Sequence, residues 1–222
     1  MENESNKIFC KVVIVGESGV GKTCIMIRFV QNTFDKNQLS TVGASYVDKI
    51  LELKINDIQK IINFMIWDTT GQEKYRALTR NFYNEAKVAI LVYDSTNKES
   101  FEKIKDFWFK EIKDNCPKNI ILALAANKID DYMNEQISEK EGKNFADENN
   151  MIFGCTSALS GAGVADLFEK IGYKYLNIIL NEERKIQNEK NENNANIKLE
   201  DKKVKLDNTK NKKKKKKKKE FC

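Results

Sequence analysis

The chain has no histidine and no C-x-x-C pair. It has no apolar stretch near the roughly 18 residues that a membrane-spanning helix needs. Each absence excludes a class of protein. Without histidine or paired cysteines there is no ligand set for a zinc site. Four of the five cysteines (Cys10, Cys24, Cys116 and Cys155, but not Cys222) lie in or beside apolar runs, where a thiol packs as a small hydrophobe. That usage implies a reducing compartment. No leader-type apolar segment stands at the N-terminus, and residue 2 is Glu2 rather than the glycine that N-myristoylation requires. The expectation is a soluble chain unless something is attached to it.

A net charge of +6 over 222 residues conceals an uneven distribution. Residues 208–222 hold nine lysines against one glutamate, which leaves 30 basic and 32 acidic residues in the preceding 207. The body is therefore near neutral. A nucleic-acid-binding body would line a folded face with positive charge, so no nucleic acid is expected as partner.

What is present begins with "GESGVGKT", residues 16–23, which interrupts an apolar run. It fits G-x-x-x-x-G-K-[ST], with Gly16, Gly21, Lys22 and Thr23 in the fixed places. In that pattern main-chain amides of Ser18, Gly19, Val20, Gly21, Lys22, Thr23 and Cys24 form a nest for phosphate oxygens. Lys22 reaches the β/γ oxygens as a point charge, and the Thr23 hydroxyl ligates Mg²⁺. The plainer alternative is a glycine-rich turn. Context favours phosphate: "KIFCKVVIV" (7–15) suits a buried parallel strand, and "KTCIMIRFVQ" (22–31) a helix whose N-terminus faces an anion.

Apolar runs alternate with helical patterns along 7–180, which predicts a doubly wound α/β sheet. Strands are expected at 7–15, 46–55, 58–67, 87–94, 119–127 and 151–157, and helices at 22–31, 98–113, 138–150 and 164–180. In the last helix Leu167, Phe168, Ile171, Tyr175 and Ile178 form one stripe, a packing face. Asn56-Asp57 separates two alternating runs as a hairpin turn, so that edge should be antiparallel. The count is six strands and about five helices, with the ligand loop at the carboxyl end of the first strand.

A phosphate loop serves ATPases, kinases and GTPases alike. "NKID" (127–130) separates them. The Asp130 carboxylate in the plane of a base accepts from both N1–H and N2–H₂ of guanine, a pair that adenine lacks. Asn127 and Lys128 would brace the loop and cover the base. "TSA" (156–158) brings Ser157 and the Ala158 amide to the same pocket, the latter for guanine O6, and Leu159 follows. "WDTTGQEKY" (67–75) adds Asp68 for Mg²⁺, the Gly71 amide for the γ-phosphate and Gln72 to orient the attacking water. Thr41, in the turn-rich 32–45 stretch, is a second hydroxyl for Mg²⁺ that engages when γ-phosphate draws the loop inward. Phe34 could cover the guanine or serve only as a loop anchor.

With every such motif present and in order over 7–180, the chain resembles a Ras-superfamily small GTPase, and "WDTTGQEKYRALTRNFYNEAKVAILVYDSTNKESFEKI" (67–104) is similar to the Rab family. The resemblance implies a P-loop NTPase G domain over 7–180, after a short extension (1–6). It implies GTP and GDP with Mg²⁺ as ligands, and a switch that acts in vesicle and membrane traffic. Its expected partners are an exchange factor, a GTPase-activating protein, a GDP-dissociation inhibitor or escort protein, and effectors that read Tyr46, Trp67 and Phe82. The expected location is the cytoplasm, with cycling to the cytosolic face of an intracellular membrane. Three positions depart from the family pattern: Thr70 in place of alanine, Leu159 in place of the lysine of "SAK", and Gln38 in place of an aromatic. Thr70 would alter hydrolysis and Leu159 would lower nucleotide affinity. A protein that binds nucleotide yet barely hydrolyses it therefore stays open beside the switch enzyme.

From 181 Asn, Glu and Lys dominate, and 181–222 reads as a disordered polybasic tail. Eight consecutive lysines (212–219) precede Cys222, the candidate prenylation site. One lipid anchors marginally, and a polybasic run facing an anionic membrane surface supplies a second signal. As a flexible coil the tail would span on the order of 35 Å.

Overall fold

The computed structural model describes residues 7–37, 41, 44–55, 58–69 and 82–190. Within them the order is β1 (Lys7–Val15), α1 (Lys22–Gln31), β2 (Ala44–Ile55), β3 (Ile58–Thr69), β4 (Val88–Asp94), α2, β5 (Ile121–Asn127), α3 (Glu139–Glu148), β6 (Ile152–Cys155) and α4 over 164–190. Helix α2 has three parts: Lys98–Lys103, a π-helical turn Ile104–Trp108, and Phe109–Asn115.

The strands form one six-stranded sheet in the order β2-β3-β1-β4-β5-β6. Only the β2–β3 pair is antiparallel, in register from Ala44↔Thr69 to Ile55↔Ile58. This is the α/β sheet with one antiparallel edge that the apolar runs predict. The hairpin residues Asn56-Asp57 themselves lie outside the described residues.

Every residue of β4 and β5 is buried, because helices cover both faces of the sheet and a period of two no longer separates inside from outside. On one face Val13, Leu91, Tyr93 and Leu124 pack against Phe101, Ile104, Trp108 and Ile112 of α2 and Ala146 of α3. On the other, Phe29 of α1 stacks on Phe168 at 3.7 Å between centroids, and both meet Phe64 edge-on. The fully buried members of these clusters each contribute roughly 1.5–3 kcal/mol.

The structure differs from the sequence expectation at several element ends: β2 starts at Ala44, β3 ends at Thr69 and β5 starts at Ile121, and there are three further differences. The last strand stops at Cys155 instead of 157, which frees Thr156 and Ser157 for the loop beyond it. The helix expected as plain α over 98–113 contains the π turn. Helix α4 continues to 190 rather than stopping at 180. The segment "NEERKIQNEK" lacks a packing face but is made largely of good helix formers, whose propensity carries the helix past the last apolar residues. By compactness the chain divides into Met1–Tyr175 and Leu176–Cys222, and every described site residue belongs to the first unit.

Candidate nucleotide site

The phosphate loop leaves β1 through Gly16, where a Cβ would sit 2.2 Å from the carbonyl oxygen of Val92 at φ +144°. No other residue fits there. At Gly21 (φ +95°) a Cβ would lie 2.3 Å from Asn127 Nδ2, so the backbone must pass that side chain bare. Helix α1 starts immediately afterwards, and its first residue is Lys22.

The Lys22 ammonium is buried and donates to the carbonyls of Gly16 (2.9 Å) and Glu17 (2.8 Å). Burial pulls its pKa down to about 8, against the opposing charges of Asp68 and Glu17. A buried cation resting on two neutral acceptors keeps a charge that an anion could neutralise. Ser18 and Gly19 are exposed at the loop tip, while Val20 is buried. Cys24 is half-buried, and desolvation pushes its thiol up.

Three oxygens converge beside the loop. Thr23 Oγ1 donates to Asp68 Oδ2 (2.6 Å) and lies 2.7 Å from Thr41 Oγ1, which itself donates to the same Oδ2 (3.2 Å). Asp68 is fully buried at the end of β3, and its Oδ1 has no hydrogen-bond partner among the described residues. Burial raises its pKa, while the Thr23 hydroxyl and Lys22 pull it down. Two hydroxyls and an under-satisfied buried carboxylate are a hard-oxygen set that suits Mg²⁺ and fits no soft metal.

At the other end of the cleft Asn127 closes β5. Its Nδ2 donates to the Val20 carbonyl (2.8 Å), and its Oδ1 accepts from the Ala158 amide (3.2 Å) and Thr156 Oγ1 (3.3 Å). One buried side chain thus joins the phosphate loop to the loop after β6. The Ala158 amide, assigned from sequence to guanine O6, is bonded to Asn127 here. Lys128 takes a left-handed conformation (φ 67°) and pairs with Asp94 Oδ2 at 2.5 Å. Asp130 Oδ1 accepts from Ser157 Oγ at 2.5 Å, and Ser157 Oγ in turn accepts from the Ser160 amide. The Asp130 carboxylate is exposed and held by one short bond.

Sequence reasoning missed Arg28 and Asp94. Arg28 of α1 donates through Nε to the Ala158 carbonyl (2.9 Å) and through Nη2 to the Leu159 carbonyl (2.7 Å), clamping the base loop. No spacing signal marks it, since a long side chain on a half-buried helix face reaches across 130 positions of chain. Leu159 is 44% exposed, and only its backbone is engaged by Arg28. Phe34 is half-buried on the stretch after α1. Gly71, Gln72, Thr70, Gln38 and Cys222 lie outside the described residues.

Tyr46, Trp67 and Phe82 do come together. Tyr46 and Trp67 have ring centroids 4.9 Å apart, as do Trp67 and Phe82, the latter pair stacked. Tyr46 is 46% exposed.

The Ras family model matches residues 11–177 of the chain. The chain is 40% identical over 161 residues to Ras-related protein Rab-22A of Homo sapiens, covering 72% of this chain and 80% of that protein. It is 38% identical over 169 residues to GTP-binding protein ypt4 of Schizosaccharomyces pombe, covering 76% and 72%. Ras-related protein RABA1b of Arabidopsis thaliana is 37% identical over 171 residues, covering 77% and 76%.

Proposed function

The chain belongs to the Rab family of Ras-superfamily small GTPases, GTP-hydrolysing proteins of membrane traffic, and from that membership we propose how its own residues run the switch. Asp130 selects guanine, and Ser157 orients its carboxylate. Lys22 and the amides of 18–24 hold the polyphosphate. Thr23, Thr41 and Asp68 are the residues to hold Mg²⁺, which when bound supplies positive charge to the phosphate oxygens. Gln72 orients the attacking water, and the Gly71 amide meets the γ-phosphate. Histidine is absent and no general base enters this assignment, so catalysis is positional and electrostatic. A rate on the order of 10⁻⁴ s⁻¹ follows unless a partner supplies a group in trans.

The observation that carries this reading is Asn127. A single buried amide bonded at once to the phosphate loop and the base loop makes sense when one ligand spans both. Thr41 is the residue assigned to engage when γ-phosphate draws the 32–45 stretch inward, and that stretch would report the nucleotide to exchange factors, activating proteins and effectors. The effector surface is the Tyr46–Trp67–Phe82 stack. Among the described residues no helix is long and apolar enough to cross a membrane. Membrane attachment is assigned to a lipid on Cys222 together with the lysine run 212–219, and retrieval to the cytosol to a GDP-dissociation inhibitor.

Nucleotide-free protein titrated with GTP, GDP and ATP in Mg²⁺ tests the base assignment. The expected preference for guanine over adenine nucleotides is on the order of 10⁴-fold, as for sites that hydrogen-bond a distinguishing group. Equal affinity for ATP and GTP overturns it.

A further inference from the structure

We propose that Trp108 is a positioning residue for nucleotide binding: its indole N–H pins the Glu17 carboxylate outside the phosphate nest, on the α2 side of the loop. The inference rests on the nucleotide reading above and adds a residue that no loop motif contains.

Glu17 is the second residue of the phosphate loop, and a carboxylate there is an electrostatic liability. Like charges repel as 1/r, and more strongly as water is excluded. The structure restrains Glu17 twice: its carbonyl accepts from Lys22 Nζ at 2.8 Å, and its Oε1 accepts from Trp108 Nε1 at 2.8 Å. The second bond is long-range, joining residues 91 positions apart. Indole nitrogen is a donor only, so the bond is directional and has one sense.

The donor stands on a rigid platform. Trp108 is 1% exposed and packs in the core with Phe101, Ile104 and Ile112. It also closes the π turn, in which the Phe109 amide bonds back to the Ile104 carbonyl. A π turn is a costly irregularity that recurs at functional positions. Here it ends on the residue that reaches the loop.

The test measures GDP release from the full chain in Mg²⁺ for wild type, Trp108→Phe, Glu17→Gln and the double variant. Trp108→Phe keeps the aromatic packing, removes the N–H and frees the carboxylate. Release should accelerate roughly tenfold at low salt, the scale of losing a charged hydrogen bond, and less at high salt. Glu17→Gln removes the charge, so its release rate should lack the salt dependence that Trp108→Phe shows. The double variant should match Glu17→Gln, because no charge remains to restrain. A double variant as fast as Trp108→Phe, or Trp108→Phe as slow as wild type, overturns the proposal. A wild type that retains no GDP overturns the nucleotide reading and this inference together.

If Trp108→Phe does not fold, the indole N–H resonance decides. The chain has two tryptophans, so Trp67→Phe assigns it. A resonance that shifts in Glu17→Ala supports the bond, and one that does not move overturns the proposal.

Discussion

The two ends of the cleft solve the same problem, satisfying buried polar groups, in opposite ways. At the base end the polar side chains are paired, Asn127 with Thr156, Ser157 with Asp130 and Lys128 with Asp94, and Arg28 clamps the outside. At the phosphate end the pairings are makeshift. Lys22 rests on carbonyls, two hydroxyls share one carboxylate oxygen, and Asp68 Oδ1 has no hydrogen-bond partner among the described residues. The difference teaches where information enters. The Asn127 brace ties together two loops that, on the proposed reading, one ligand spans. On the proposed reading, polyphosphate and metal would engage Lys22, Thr23, Thr41 and Asp68 together, and coupling those groups to one ligand is what a switch requires.

The largest effect should come from breaking the residue shared by both ends. Asn127→Ala leaves the Val20 carbonyl and the Ala158 amide without their partner, at about 1–3 kcal/mol each. GDP affinity by calorimetry should fall roughly 10²–10³-fold. A fall under about tenfold would mean the two ends are independent.

Asp68→Asn acts on the makeshift end alone. It preserves size and the hydrogen bonds to the hydroxyls but removes the charge. Apparent Mg²⁺ affinity should drop at least roughly 100-fold, so chelation that accelerates GDP release in wild type should barely affect the variant. Guanine-over-adenine preference should not change. A lost base preference would show that the ends are not separable.

The smallest effect is a pH slope. Lys22 titrates at about 8 in the folded nucleotide-free protein, against an ordinary 10.5. Between those values the unfolded chain holds a proton that the folded chain has released. Stability of the nucleotide-free protein therefore rises with pH across that window. Polyphosphate needs the ammonium, so affinity should fall there, by at most about tenfold per pH unit. Both slopes should vanish in Lys22→Met, read by melting temperature and by titration calorimetry.

Much of this was legible because backbone chemistry left marks in composition. Gly16 and Gly21 stand where a Cβ would strike Val92 or Asn127, and only glycine meets that need. Strands β4 and β5 are continuous apolar runs because both their faces are covered. Asp68 ending such a run announced a buried carboxylate with work to do.

Arg28 was illegible for a different reason. Its partners are main-chain carbonyls at 158 and 159, and a carbonyl carries no residue identity. Glu17 and Trp108 look like an ordinary loop acid and an ordinary core aromatic until the fold sets them 2.8 Å apart. The π turn likewise has no compositional sign, since its ring size depends on what α2 packs against.

The sequence by itself determined the ligand loop, the succession of strands and helices along the chain and the kinds of groups along the cleft, because local geometry and hydrophobic periodicity act over a few residues. Tertiary structure alone decided which carbonyl each cation holds, which carboxylate is left short of a partner, and which tryptophan restrains the phosphate loop. Those are long-range contacts, set by how sheet and helices pack, and no local pattern encodes a distance across the core.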